Sequence, residues 1–166
     1  MAQQKGMRDL LLEELRDIYH AEKQALRAYP KLIRATSNDQ LKQAFQKHSE
    51  QTEGQIERLQ QAFEKLGVAA RGKLCHAMEG LVEEAKEVMD QGLSPELLDA
   101  ALIAAAQKME HYEIASYGTV RAYAQALGED EVAQLLEQTL QEEKDTDELL
   151  NRIAVDDVNK RAMKAA

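Results

Sequence analysis

The sequence is poor in everything that builds turns and cross-links. Its 166 residues include two prolines, eight glycines and one cysteine. So few turn residues exclude a loop-rich all-β domain. The single cysteine, Cys75, excludes an internal disulfide and a cysteine-based zinc site, and it fits a reducing compartment. Tryptophan is absent and phenylalanine occurs twice, so the core has to be built from Leu, Ala, Ile, Met and Tyr, a helical palette. Positive charge is also scarce. Lys and Arg number 21 against 30 Asp and Glu, a net charge of −9. That excludes nucleic-acid phosphates and an anionic membrane surface as partners. No apolar run reaches the ~18 residues of a membrane span. The start, Met1 to Gly6, lacks the apolar stretch of a secretion signal. A cytoplasmic location is expected.

What is present is the balance of an ordinary globular protein, 44% apolar and 31% charged, long enough for one domain over residues 1–166. Apolar residues recur at helical spacing. A first helix is expected over 7–35, with Leu11, Leu15, Ile18, Ala25, Tyr29 and Leu32 on one face and a kink at Pro30. Thr36 to Asp39 is a turn with capping chemistry for a second helix over 39–66, which Gly67 closes. A shorter helix spans 74–91. Ser94-Pro95-Glu96 starts a third long helix over 95–127, closed by Gly128. A fourth covers 130–153, and the polar, Ala-rich tail beyond it reads as a loosely held terminal helix. The links after the first and third long helices are tight, and the link over 67–94 can run the length of a bundle. The expectation is an all-α, four-helix bundle of two antiparallel hairpins, with an additional short helix in the crossover.

The informative feature is where acids interrupt the apolar seams. The first helix reads 11, 15, 18, 22, 25, 29, and position 22 is Glu22. The third long helix reads 102, 106, 109, 113, 116, 120, with Glu113 in the seam and Glu110 one turn away. The fourth reads 132, 136, 139, 143, 147, 150, which places Glu143 and Asp147 inward. Five inward carboxylates cannot all be ionised and unpaired in a core. No Lys or Arg occupies a matching seam position, so a pair of divalent metal ions is the economical neutraliser. A single inward acid more often stays protonated or takes a hydrogen bond, here from Tyr19, Tyr112 or Tyr117. The second helix offers His48, Thr52 and Gln55 inward, whereas Glu50 and Glu53 fall well off its apolar face. His48 is the preferred nitrogen ligand, and Thr52 with the three tyrosines forms the expected surround. His111 reads as surround or surface, His20 and His76 as surface, and Cys75 as a packing residue.

Five stretches together resemble one known family. They are Ala21-Glu22-Lys23-Gln24, Arg34-Ala35-Thr36-Ser37, Ala77-Met78-Glu79-Gly80-Leu81, the run from Glu110 to Thr119, and Glu142-Glu143-Lys144 through Asp147. They resemble the YciE/YciF family of bacterial stress-associated proteins, most of all its YciF branch. That family is similar to the ferritin-like bundles, among them the rubrerythrins. The resemblance implies a ferritin-like fold, a homodimer, and metal ligation by Glu22, Glu110 with Glu113, and Glu143 with Asp147. Asp147 stands where rubrerythrins have a histidine. Glu50-x-x-Glu53 carries Glu where their second helix has His.

Two functions follow as expectations. One is a dinuclear iron or manganese protein that handles peroxide or dioxygen in a stress response, since oxygen-rich ligation suits those metals. The other is a structural or interaction protein with a vestigial site, in which an apolar side of the crossover helix, including Val82 and Met89, forms a homodimer face. Iron storage would need a closed cage, which nothing in the sequence specifies.

Overall fold

The computed structural model describes residues 5–165. Most of the segment read as lacking a secretion signal lies outside the described residues. Every regular element described is helical: α1 Met7–Ala35, α2 Asp39–Lys65, α3 His76–Met89, α4 Pro95–Ala126 and α5 Asp130–Ile153. A π-helical turn, Ala154–Val158, then leads into α6, Asn159–Lys164. No described helix is long and apolar enough to cross a membrane.

The ends form as the local chemistry directs. Asn38 Oδ1 accepts the Leu41 N–H at 3.0 Å, and Ser94 Oγ accepts that of Leu97 at 3.4 Å. Gly67 and Gly128 take φ of 68° and 74°, a region that costs other residues Cβ strain. Each lets the next residue's N–H reach back into the helix, Val68 to the Phe63 carbonyl and Glu129 to that of Ala124. Pro30 does not end α1, which continues to Ala35. The crossover helix is shorter than its apolar pattern, because Cys75 serves as its cap and Sγ accepts the Met78 N–H.

α1 packs on α2 and α4, and α5 packs on the same two, so the four long helices close a ring. This is the ferritin-like four-helix bundle. α3 lies outside the ring against α1 and α4. The tail corrects the expectation of a loose terminal helix: Val158 and Ala162 are buried, and α6 packs on α4. The α1–α2 turn is fastened from two sides. Asp99 accepts from Ser37 N, Ser37 Oγ and Asn38 N, and Asp157 accepts from Asn38 Nδ2.

The core is divided in two. Leu32, Leu41, Phe45, Leu102 and Leu150 belong to one apolar cluster, and Leu11, Leu15, Phe63, Val120 and Leu136 to the other. Buried polar side chains from all four long helices complete the interior, among them Glu22, His48, Glu113 and Glu143.

Candidate metal centre

Four side chains converge in that interior. His48 from α2, Glu110 and Glu113 from α4 and Glu143 from α5 each bring one donor atom, and these atoms all lie within 4.8 Å of one another. All four are buried. Their helices bring them together because each occupies, or lies one turn from, an inward seam position. Glu110 and Glu113 are three residues apart and share a face of α4. Glu50 and Glu53 are exposed, as the phasing of α2 required.

Glu22 is fully buried on α1 beside this group. It accepts a short hydrogen bond from the Tyr117 hydroxyl and feels the charges of Glu113 and Glu143.

The donors face one another with little to satisfy them. Glu22 Oε2, Glu110 Oε2, Glu113 Oε1 and both oxygens of Glu143 have no hydrogen-bond partner. His48 Nε2 lies 3.1 Å from Glu110 Oε1 and 3.4 Å from Glu143 Oε2, yet it makes no hydrogen bond. Its other nitrogen is engaged: Nδ1 sits 3.0 Å from Thr146 Oγ1 and 3.2 Å from Gln51 Oε1. With a proton on Nδ1 donated to either oxygen, the Nε2 lone pair faces the carboxylates, as a metal-ligating imidazole requires.

Burial shapes the proton affinities. It pushes Glu22 well above the usual carboxylate range, and the charges of Glu113 and Glu143 add to the effect. Glu113 is raised by burial, then by Glu143 and Glu110. Glu143 is pushed up to about 8 by burial and by Glu110. Burial opposes ionisation of Glu110 too, but the adjacent His48 charge holds it below its usual range. His48 is raised well above an ordinary imidazole by Glu110 and Glu143, against the opposing effect of its own burial. Without a cation, the centre has to hold protons.

Several expected participants lie elsewhere. Asp147 does not enter the group. Its oxygens face His111 Nε2 at 3.0 Å and Gln107 Nε2 at 3.1 Å, and Thr146 is the buried residue at that turn. Positions 146 and 147 flank the seam of α5 at about equal angles, so the helical period alone does not choose between them. Tyr112 turns away to Asp17 and Cys75, and the Tyr19 hydroxyl accepts from Gln60 Nε2. Thr52 spends its hydroxyl on the His48 carbonyl within α2. Only Tyr117, of the three expected tyrosines, hydrogen-bonds an acid of the centre.

Two participants were missed. Tyr29 donates to Glu110 Oε1 at 3.0 Å and meets the His48 ring edge-on at 5.4 Å. It stands seven residues, about two turns, from Glu22 on the same face, and a buried phenol needs a polar partner. Thr146 was overlooked in favour of Asp147. His20 is also more than surface. Its Nδ1 receives the Cys75 N–H and lies 2.8 Å from Gln24 Nε2, fastening the crossover to α1.

A family profile described as "Domain of unknown function (DUF892)" matches residues 6–163. The chain is 52% identical over 159 residues to Protein YciF of Escherichia coli, covering 95% of this chain and 96% of that one. The crystal structure of the E. coli stress protein YciF superposes with a TM-score of 0.90, covering 95% of this chain and 99% of that one. YcfI of Rhodopseudomonas palustris, described as a candidate structural protein, gives a TM-score of 0.88 at 45% identity, over 91% and 97% of the two chains. A protein from Xanthomonas campestris gives 0.73 at 26% identity, over 96% and 98%.

Proposed function

The chain belongs to the YciF-like family that carries DUF892, and on that premise we propose that its buried centre binds two divalent cations, iron or manganese. The observation that carries this reading is a charge balance. Glu22, Glu110, Glu113 and Glu143 are all buried, with five of their oxygens unpartnered. Ionised, the four need four positive charges; two divalent ions supply them and leave His48 neutral. The donor set of carboxylates with one imidazole suits iron or manganese better than a thiolate-seeking metal.

Glu22, His48, Glu110, Glu113 and Glu143 would hold the pair. When bound, such a pair supplies redox chemistry toward peroxide or dioxygen. The chain's own groups do the rest. Tyr117 and Tyr29 orient Glu22 and Glu110 through their hydroxyl protons. Thr146 and Gln51 fix the orientation of the His48 ring. The two apolar halves of the core keep bulk water away.

The proposed role is the handling of a small oxidant during stress, in the cytoplasm, by a homodimer. Relatedness to a protein described as a stress protein supports the setting. A second reading, a structural protein whose centre stays empty, is favoured by the description of the R. palustris relative. Elemental analysis of purified protein, with melting curves before and after chelation, separates the two. Close to two iron or manganese ions per chain, with a melting temperature that falls on chelation, supports the metal centre. No bound metal and an unchanged melt on adding either ion would favour the structural reading.

A further inference from the structure

The second half of α1 carries Lys23, Arg27, Lys31 and Arg34 within about 80° of arc. Like charges stacked at this spacing repel by about 0.2–0.5 kcal/mol per pair. The chain has more acids than bases, yet none of these four joins an ion pair among the described residues. Lys23 rests on the Tyr19 ring at 4.1 Å, while Arg27, Lys31 and Arg34 are exposed.

Arg27 and Lys31 rim a cleft of about 230 Å³ between α1 and α3. Its apolar floor is Ala28, Leu32, Val82, Ala85 and Met89. Lys86 stands on the opposite wall and also reaches Glu83 at 3.0 Å. One turn of helix with its side chains sweeps about 400 Å³, so the cleft suits a single extended chain better than a docked helix. From Gln24 to Leu32 it runs about 12 Å at 1.5 Å per residue, room for about ten carbons. The larger cleft between α2 and α5, about 480 Å³, mixes Lys47 and Arg152 with Asp156 and so selects no charge.

We propose that the α1–α3 cleft binds a free, single-chain anionic amphiphile. Its carboxylate head lies among Arg27, Lys31 and Lys86, and its unbranched tail lies on the apolar floor. None of these residues belongs to the buried centre, so this binding stands or falls apart from the metal reading.

The test is calorimetric titration of the full chain with decanoate and with decanol, both as monomers. The variants are R27E/K31E and a control reversal at exposed positions elsewhere, K144E/K164E. One saturable decanoate site is expected, with decanol weaker by about tenfold or more. R27E/K31E is expected to lose affinity by a similar factor, and the control to keep it. The milder R27Q/K31Q serves if the reversal fails to fold, and the same direction of loss is expected. Equal binding of decanol, absence of saturable decanoate binding, or an equal loss in both reversals overturns the proposal. Binding of anionic vesicles in place of monomeric decanoate, or a homodimer that R27E/K31E dissolves and decanoate leaves intact, assigns the cleft to another occupant and also overturns it.

Discussion

His48 Nε2 lies 3.1 Å from Glu110 Oε1 without a hydrogen bond between them. The two atoms are near enough for an ion pair but not aligned for proton sharing, so each keeps a lone-pair direction for a third atom. The same holds for the free oxygens of Glu143. The centre's preference for a cation can therefore be measured through stability, without any assay of turnover.

Glu143→Gln should change sign with metal. It removes a buried charge whose oxygens make no hydrogen bond, and it nearly conserves volume. At pH 8 the metal-free variant is expected to be more stable than wild type by about 1–4 kcal/mol. At pH 5, where Glu143 already holds its proton, the difference should shrink toward zero. With manganese or iron added, wild type should gain melting temperature and the variant should gain much less. Equal gains in both would remove Glu143 from the ligand set.

The pH dependence of the metal-free chain follows from the same groups. Glu143 titrates near 8 when folded and near its ordinary value, about 4.3, when unfolded. Its contribution is fully present below the unfolded value and is lost as pH rises through about 8. His48, also raised, contributes fully below about 6.5 and fades as pH rises above that. Glu110, held low, works in the opposite sense, but only around and below the ordinary carboxylate range. Metal-free protein should thus lose melting temperature as pH rises from about 5 through about 8, and metal should flatten the curve. Thermal denaturation across that range, with and without chelator, reads it.

Tyr117→Phe removes the hydroxyl that serves Glu22. A cost of about 1–3 kcal/mol is expected from leaving a buried acid without its donor. Combined with Glu22→Gln the costs should fail to add, and chemical denaturation of the four proteins of the cycle measures the coupling. Strict additivity would mean that the bond contributes nothing.

Asp99→Ala strands three donors of the α1–α2 turn, Ser37 N, Ser37 Oγ and Asn38 N. A loss of about 2–4 kcal/mol is expected, together with faster hydrogen exchange at the start of α2. A loss confined to a few tenths would show that water takes over the bonding.

Gly72→Ala probes the crossover. An added Cβ would stand 3.2 Å from His20 Cβ, closer than ordinary contact. The loop or α1 has to give, at about 1 kcal/mol. Limited proteolysis over residues 67–75 should quicken while the far-ultraviolet helical signal is unchanged.

Much of this was legible in the sequence because helical period carries both kinds of information. The seams placed the long helices within a residue or two and set Glu22, Glu110, Glu113 and Glu143 inward before any geometry was known. The same phasing preferred His48 over Glu50 and Glu53. The period failed where two neighbours straddle a seam, as Thr146 and Asp147 do, because the choice there belongs to the facing helix. It also could not say where a hydroxyl points. Tyr112 and Tyr117 lie near the same acids in sequence, yet one serves Asp17 and the other Glu22. The role of His20 depends on a loop more than fifty residues away, and no local pattern encodes it.

The π turn at Ala154–Val158 has a consequence for which changes the chain tolerates. A wider turn takes up one residue more than an α-turn, so the helix beyond it keeps the phase it would have without that residue. Deleting a single residue there would restore the ordinary pitch and leave α6, with the buried Ala162, in place against α4. The same deletion one turn earlier, in α5, has nothing to take it up and would swing the end of the chain by about 100°. The end of the chain therefore carries one residue of slack, and a shortening is tolerated inside this turn and nowhere near it.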